Sequence, residues 1–313
     1  MIEQSAPPYR YRISGLIVAS DVALPMRTLL DPMGTPPADV TMSHAAVPDR
    51  LDQPTREGPN WTADDRRLLL DLPGIGRFLA EDGRRLALSP APGVALEDIT
   101  VFATGTGLAA ILYQRGAMLL HASAVVHDGR AFLFCGPSGA GKSTLTAALT
   151  RAGCGFLSDD VCAIEPAAEG PPLVQADGRV LRLYRDSIGH VGLADAMGPP
   201  VRQQVPKFHV SPPGGTAATG AGVPVAAIYA LMEASPATPP GITPLAPVAA
   251  AQALLRLSYR RRLALAYGGS GGLAPRIASL LHHAGVCVLH QDRDFAALDG
   301  TIAMLFRHWD TLR

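Results

Sequence analysis

The sequence has no C-x-x-C pair: its four cysteines, Cys135, Cys154, Cys162 and Cys287, stand apart. That excludes a redox dithiol and the paired-cysteine zinc sites. Isolated thiols fit small buried side chains in a reducing compartment. Net charge is absent too, because 27 Lys plus Arg balance 27 Asp plus Glu. The chain as a whole therefore has no long-range attraction for nucleic acid or an anionic membrane, although a local basic patch stays open. No apolar run approaches the roughly 18 residues of a membrane helix. The longest candidate, VPVAAIYALM, amounts to one strand with flanks. The opening MIEQSAPPYRYRI lacks the apolar centre of a secretory leader. These absences predict a cytoplasmic protein that partners neither nucleic acid nor membrane. Apolar material is plentiful: 48% of the 313 residues are hydrophobic and 17% charged. That supplies a sizeable core, and the length suggests about two domains.

The first hundred residues are β-rich in pattern. YRYRISGLIVAS alternates as a strand does, and RRLLLDLPGIGRFLAEDGRRLALSP reads as short strands broken by Pro-Gly and Glu-Asp-Gly. Residues 31–60, rich in Pro, Asp and Thr, read as irregular. DITVFATGTGLAAILYQRG has apolar residues at helical spacing. It marks the join between an N-terminal β-rich module, 1–104, and a nucleotide-binding domain, 105–313. Past Ala117, two strands flank the turn His127-Asp128-Gly129-Arg130, and the second, AFLFC, runs into a glycine-rich loop. A helix follows from Lys142 to about Ala152, then the short buried strand of GFLSDD. The Pro/Gly-rich stretches 166–172, 198–200, 211–224 and 235–247 read as loops, 248–267 and 273–284 as helices, VCVLH as a strand and DFAALDGTIAMLFRHW as a closing helix.

The loop fits G-x-x-x-x-G-K-[ST] as Gly136, Pro137, Ser138, Gly139, Ala140, Gly141, Lys142 and Ser143, followed by Thr144. Glycines let the backbone double back so that successive N–H groups face phosphate oxygens. The next helix turns its positive end to the same phosphates. Lys142 is then expected at the β- and γ-phosphates of ATP and the Ser143 hydroxyl on Mg²⁺. A phosphate loop names no reaction. No LSGGQ-like or NKxD-type segment accompanies it.

Two flanking features narrow the choice. Asp159 and Asp160 end a predicted strand, where α/β sheets face their ligands. One carboxylate there can bind Mg²⁺ and the other can take the proton of an attacking hydroxyl. His121 opens the strand of LLHASAVV; by itself it fits a hydrogen-bonded structural histidine as well as a catalytic one. Arg202 and Lys207 in VRQQVPKFHV fit a mobile cationic loop closing over phosphates, or solvated charges. Arg260, Arg261 and Arg262 read as an ordinary helix face, since consecutive helical residues point apart.

The segment LLHASAVVHDGRAFLFCGPSGAGKSTLTAALTRAGCGFLSDD resembles the core of the HPr serine kinase/phosphorylase family. It has that family's His fifteen residues before the first loop glycine and its Asp pair seventeen and eighteen after the loop lysine. The resemblance implies an α/β fold of the HPr kinase/phosphoenolpyruvate carboxykinase type. It implies Asp160 as base, Asp159 at the metal beside Ser143, and His121 orienting the acid pair or the phosphate. The loop ends Ser143-Thr144 where the sugar-regulation enzymes have Ser-Glu, and their glycine/isoleucine-rich downstream segment is missing. With ISGL…LP, LHASAV and Lys207 in VPKFHV, the chain is more similar to the lasso peptide precursor kinases. That implies a catalytic Lys207 and transfer to the C-terminal serine of a precursor peptide. A small-protein acceptor, a small-metabolite kinase and a non-catalytic nucleotide-binding regulator stay open, as does a homo-oligomer.

Overall fold

The computed structural model describes residues 8–26, 28, 29, 36–167, 169–202, 205–215, 222–267 and 272–312. It is a mixed α/β chain that divides into two units, Met1–Leu119 with Arg260–Leu273, and Leu120–Tyr259 with Ala274–Arg313.

In the first unit, strands β1 (Tyr9–Ile13), β2 (Leu16–Ser20), β3 (Val40–His44), β4 (Arg56–Gly58), β5 (Trp61–Ala63), β6 (Arg67–Leu72), β7 (Gly76–Glu81) and β8 (Arg85–Pro90) form one sheet. Its order is β1-β2-β3-β8-β7-β6-β5-β4. Ser14 and Gly15, at φ 49° and 81°, make the two-residue turn between β1 and β2. Left-handed values at both positions match the twist of a tight hairpin. The irregular stretch expected over 31–60 is corrected: it holds β3 and β4 among its described residues. Val40 and Met42 point inward with exposed Thr41 between them, a period of two that the surrounding Pro and Asp disguise.

The predicted helix is α1 (Leu96–Phe102), a wider π-helical turn at Ala103–Gly107, and α2 (Leu108–Gln114). At 19 residues, Leu96–Gln114 is long and apolar enough by composition to cross a membrane, contrary to the reading that no run approaches that length; it is 67% buried within the protein. A Cβ on Gly107 would lie 3.1 Å from the Leu86 side chain, so glycine there permits close packing on β8. The join expected at 104/105 falls inside this helical run, and the first unit keeps the whole run to Leu119. Helix α2 packs on β7 and β8, and its Gln114 side chain bonds Gly83 N and Ala80 O.

The chain leaves the first unit through β9 (Met118–Leu120). Next come β10 (Ala122–His127), β11 (Arg130–Cys135), α3 (Lys142–Arg151), β12 (Gly155–Ser158), β13 (Cys162–Glu165), β14 (Leu173–Val174), β15 (Leu181–Tyr184), α4 (Arg185–His190), β16 (Met197–Arg202), β17 (Val205–Val210) and β18 (Val223–Glu233). The rest is β19 (Gly241–Pro244), α5 (Pro247–Leu257), α6 (Arg261–Tyr267), α7 (Leu273–His283), β20 (Gly285–Gln291) and α8 (Leu298–Asp310). Three expectations are corrected here. Residues 198–200 lie on β16, and β19 occupies part of 235–247. The helix over 248–267 is two, α5 and α6, parted at Ser258–Arg260, where Arg260 has a left-handed φ of 47°.

The second unit's main sheet runs β12-β10-β11-β18-β14-β13, with β20 on β18 and β19 on β20; β15-β17-β16 form a smaller sheet. Asp128 and Gly129, at φ 48° and 71°, close the β10–β11 hairpin at the expected turn. Helix α8 packs Trp309 on Phe132 with ring centroids 3.9 Å apart. Trp309 Nε1 donates to Tyr229 Oη at 3.0 Å, leaving the Tyr229 proton for His308 Nδ1 at 2.8 Å. Burying such side chains contributes about 1.5–3 kcal/mol each. This fixes the back of the sheet whose other ends carry the loop.

Candidate active site

Strand direction gathers the site. Strand β11 runs parallel to β18, and β18 parallel to β20. Strand β12 is antiparallel to β10, which is antiparallel to β11, so β12 shares the direction of β11. The loop after Cys135, the acids after Ser158 and Gln291 at the end of β20 therefore lie at one edge. That is where open α/β sheets bind ligands. His121, just before β10, reaches the same edge from the opposite strand direction.

The loop from Gly136 turns through Gly139 and Gly141, at φ 84° and 89°, where a side chain would be strained. Gly141 leads into α3. The Lys142 side chain folds back, and its ammonium donates to Gly136 O at 2.8 Å and Pro137 O at 3.0 Å. Burial pushes its pKa below the usual lysine value, against the opposing pull of Asp159 and Asp160. Gln291 Nε2 clamps the loop through Ala140 O at 3.2 Å.

Asp159 is 2% exposed. Its Oδ1 accepts from Ser123 Oγ at 2.5 Å and Ser143 Oγ at 2.8 Å, and its Oδ2 from the Arg182 N–H at 2.9 Å. Asp160 is more open and stands at φ 89°, a conformation an L-residue keeps only when its surroundings impose it. Arg182 Nη2 lies 3.1 Å from its Oδ2. Burial raises the Asp160 pKa, but the surrounding positive charge, Arg182 and Arg179 foremost with Lys207 beyond them, together outweighs burial and holds it below the usual carboxylate range.

His121 Nδ1 lies 2.9 Å from Asp160 O and 3.4 Å from Asp160 Oδ1. Both neighbours accept, so the hydrogen-bond network assigns the proton to Nδ1 and leaves Nε2 an acceptor. Burial and Lys142 push the imidazole below its ordinary pKa, so it is neutral at pH 7.

Behind the pair lies an ion pair that sequence reasoning missed. Asp177, fully buried, accepts from Arg179 Nε at 3.2 Å, Arg179 N at 2.8 Å and Asp159 N at 3.3 Å. Ser158 Oγ, 2.7 Å from Val161 O and 3.1 Å from Asp177 Oδ2, ties the turn that holds both site acids. Burial pushes the Asp177 carboxyl up, against the Arg179 charge.

These groups open on one cavity of about 270 Å³. Loop residues Ser138 to Thr144 line it with His121, Asp159 and Asp160. Arg182 and Tyr184 of β15 and Lys207 of β17 form another wall. Gly136 and Pro137 meet Lys142 through their carbonyls instead. The mobile loop expected around Lys207 is corrected: Lys207 pairs with Tyr184 across two strands, its Nζ 5.6 Å from the Tyr184 ring centroid. Arg202 ends β16, and its side chain lies outside the described residues. Arg260 to Arg262 lie in the first unit and line a different cavity.

Among the described residues, no three His, Cys, Asp or Glu side chains gather as a metal cluster. Mg²⁺ needs fewer, since it keeps several waters and takes one or two protein oxygens beside phosphate. Ligands about 2.1 Å from Mg²⁺ at right angles lie about 3 Å apart. The Ser143 Oγ to Asp159 Oδ1 distance of 2.8 Å fits that edge.

No protein-family profile and no curated protein sequence matches the chain. Among solved structures, the HPr(Ser) kinase/phosphatase from Coxiella burnetii matches 62% of this chain and 92% of its own, at 13% identity and TM-score 0.32. A likeness that weak decides nothing about activity.

Proposed function

We propose that this chain is an ATP- and Mg²⁺-dependent kinase that transfers the γ-phosphoryl group to a serine hydroxyl. The observation that carries the reading is the convergence, on one cavity, of buried Lys142, the Ser143–Asp159 pair and the more open Asp160. Loop N–H groups and Lys142 bind the phosphates and compensate their charge. Ser143 and Asp159 would hold Mg²⁺, which would supply further charge neutralisation. Asp160, beside the cavity, orients the acceptor hydroxyl and takes its proton as the oxygen–phosphorus bond forms. The bond from γ-phosphorus to the β,γ-bridging oxygen breaks, and ADP leaves. Held below the usual carboxylate range, Asp160 is ionised at neutral pH and free to accept that proton. His121, neutral, braces the Asp160 backbone. Lys207 and Arg182 flank the path of the transferring charge.

We take the acceptor to be the C-terminal serine of a lasso-type precursor peptide, on the sequence resemblance, and the compartment to be the cytoplasm. The test incubates the protein with MgATP and a peptide ending in serine, and mass spectrometry looks for one added phosphoryl group. The terminal Ser→Ala peptide, HPr and a panel of hydroxylated metabolites run alongside. Phosphate on the serine peptide alone is the expected result. Phosphate on HPr or a metabolite, with both peptides unmodified, overturns the acceptor and keeps the kinase. No transfer to any acceptor with retained MgATP binding overturns the kinase.

A further inference from the structure

Sequence position makes Arg260, Arg261 and Arg262 a solvated face, with side chains fanning apart. The structure brings all three to one cavity of about 650 Å³ in the first unit. Arg260 stands outside α6 with a left-handed φ of 47°, so its side chain leaves from a different direction than the helical pair behind it. Its carbonyl accepts from Leu263 N at 2.7 Å and Ala264 N at 3.2 Å, fixing the helix start. Buried Leu263 and Ala264 anchor α6 and leave the arginines exposed. The opposite wall is apolar: Trp61 of β5 and its cross-strand partner Leu70 of β6. Leu265, on the same helix α6 as Arg261 and Arg262 and 48% exposed, adds apolar surface to the lining. Among the described residues, no carboxylate forms an ion pair with Arg261 or Arg262.

We propose that this hollow binds an acidic peptide segment, with a large apolar side chain on the Trp61–Leu265 surface and flanking carboxylates on the arginines. Arg261 and Arg262 are adjacent like charges that repel, and a ligand with two carboxylates relieves that. Guanidinium forks also match carboxylate geometry. The volume lies within the range of sites that enclose one compact body. A long polyanion fits poorly. The chain's 27 basic residues are matched by 27 acids, and exposed Glu57 and Asp71 lie on the neighbouring strands β4 and β6. An extended RNA or an anionic membrane would meet those acids, whereas a short segment is confined to the hollow. The proposal stands on the first unit and is independent of the kinase reading.

The experiment titrates full-length protein into a fluorescein-labelled peptide containing Glu-Phe-Glu, followed by anisotropy at two salt concentrations. Saturable binding that weakens with salt is expected. Replacing both glutamates by glutamine, or making Arg261→Ala with Arg262→Ala, should weaken it at least about tenfold. Leu265→Asp, at an exposed position, should do the same by placing a charge on the apolar lining. Unchanged melting curves check that the variants fold. Absence of saturable binding overturns the proposal, as does equal affinity of the arginine variants. Tighter arginine-dependent binding of an RNA oligonucleotide or of phosphatidylserine vesicles overturns the peptide as occupant.

Discussion

Asp177 offers the sharpest test of how the site is held, because it lines neither of the two cavities described above and has no role that the motif explains. Asp177→Asn keeps the side-chain shape and an oxygen acceptor, but takes from the Arg179 guanidinium, 12% exposed, the carboxylate it is hydrogen-bonded to, leaving only the more distant charge of Asp160. Breaking one side of such a buried pair costs about 3–5 kcal/mol. In a body of about 150–250 residues, each kcal/mol moves Tm by about 2–4 °C. A drop of about 6–20 °C is therefore expected for the unit Leu120–Tyr259 with Ala274–Arg313. Replacing both partners, Asp177→Asn with Arg179→Met, removes the stranded charge and should recover most of the loss, since apolar substitutes for buried pairs are often neutral. Function should not recover with it. Asp177 Oδ2 meets Asp159 N, and Ser158 Oγ reaches the same oxygen, so the double variant loosens the turn that sets both site acids. Calorimetry gives the Tm, and MgATP-induced shifts over a Mg²⁺ series read the site. A loss below about 1 kcal/mol in the single variant refutes the buried-pair argument. Normal Mg²⁺ dependence in the double variant refutes the positioning role.

Three further outcomes follow from the geometry. Lys142→Ala should abolish transfer and weaken ATP binding, measured by nucleotide titration, because its buried ammonium is the cation folded onto the loop. Asp160→Asn should fold and bind MgATP but transfer about 10²- to 10⁴-fold more slowly, whereas Asp159→Asn should raise the Mg²⁺ requirement; identical behaviour in initial-rate assays would overturn that division. His121 should titrate below its ordinary 6.5 by NMR, because burial and Lys142 disfavour its charge. A depressed folded-state value means its contribution to stability is full above pH 6.5 and falls as pH drops through the folded pKa; a midpoint at or above 6.5 would refute the neutral imidazole.

The sequence was most readable where structure is local. AFLFC, the glycines and Lys142-Ser143 spell strand, loop and helix within a few residues, and Asp128-Gly129 spells a two-residue hairpin. Gln291 was reachable by the same logic, since it ends the strand predicted at VCVLH and strand ends face ligands. β3 and β4 were hidden because turn-forming neighbours diluted a short alternation. Asp177, Arg179 and Arg182 were unreadable for another reason. Their meaning depends on Asp159 and Asp160, which no short window joins to them, and the contact exists only once β15 docks beside the acid turn through the Arg182 N–H. Asp160 and Arg260 share a further obstacle: each is a non-glycine residue at positive φ, a backbone state that side-chain chemistry does not announce. At Asp160 the surroundings that impose this state can be named: Asp177 and Ser158 beneath the turn, His121 on its carbonyl and Arg182 on its carboxylate. Strain of order 1–3 kcal/mol persists only under such over-determination. The four contacts that make Asp160 hard to predict are therefore the same contacts that fix where its carboxylate faces the cavity.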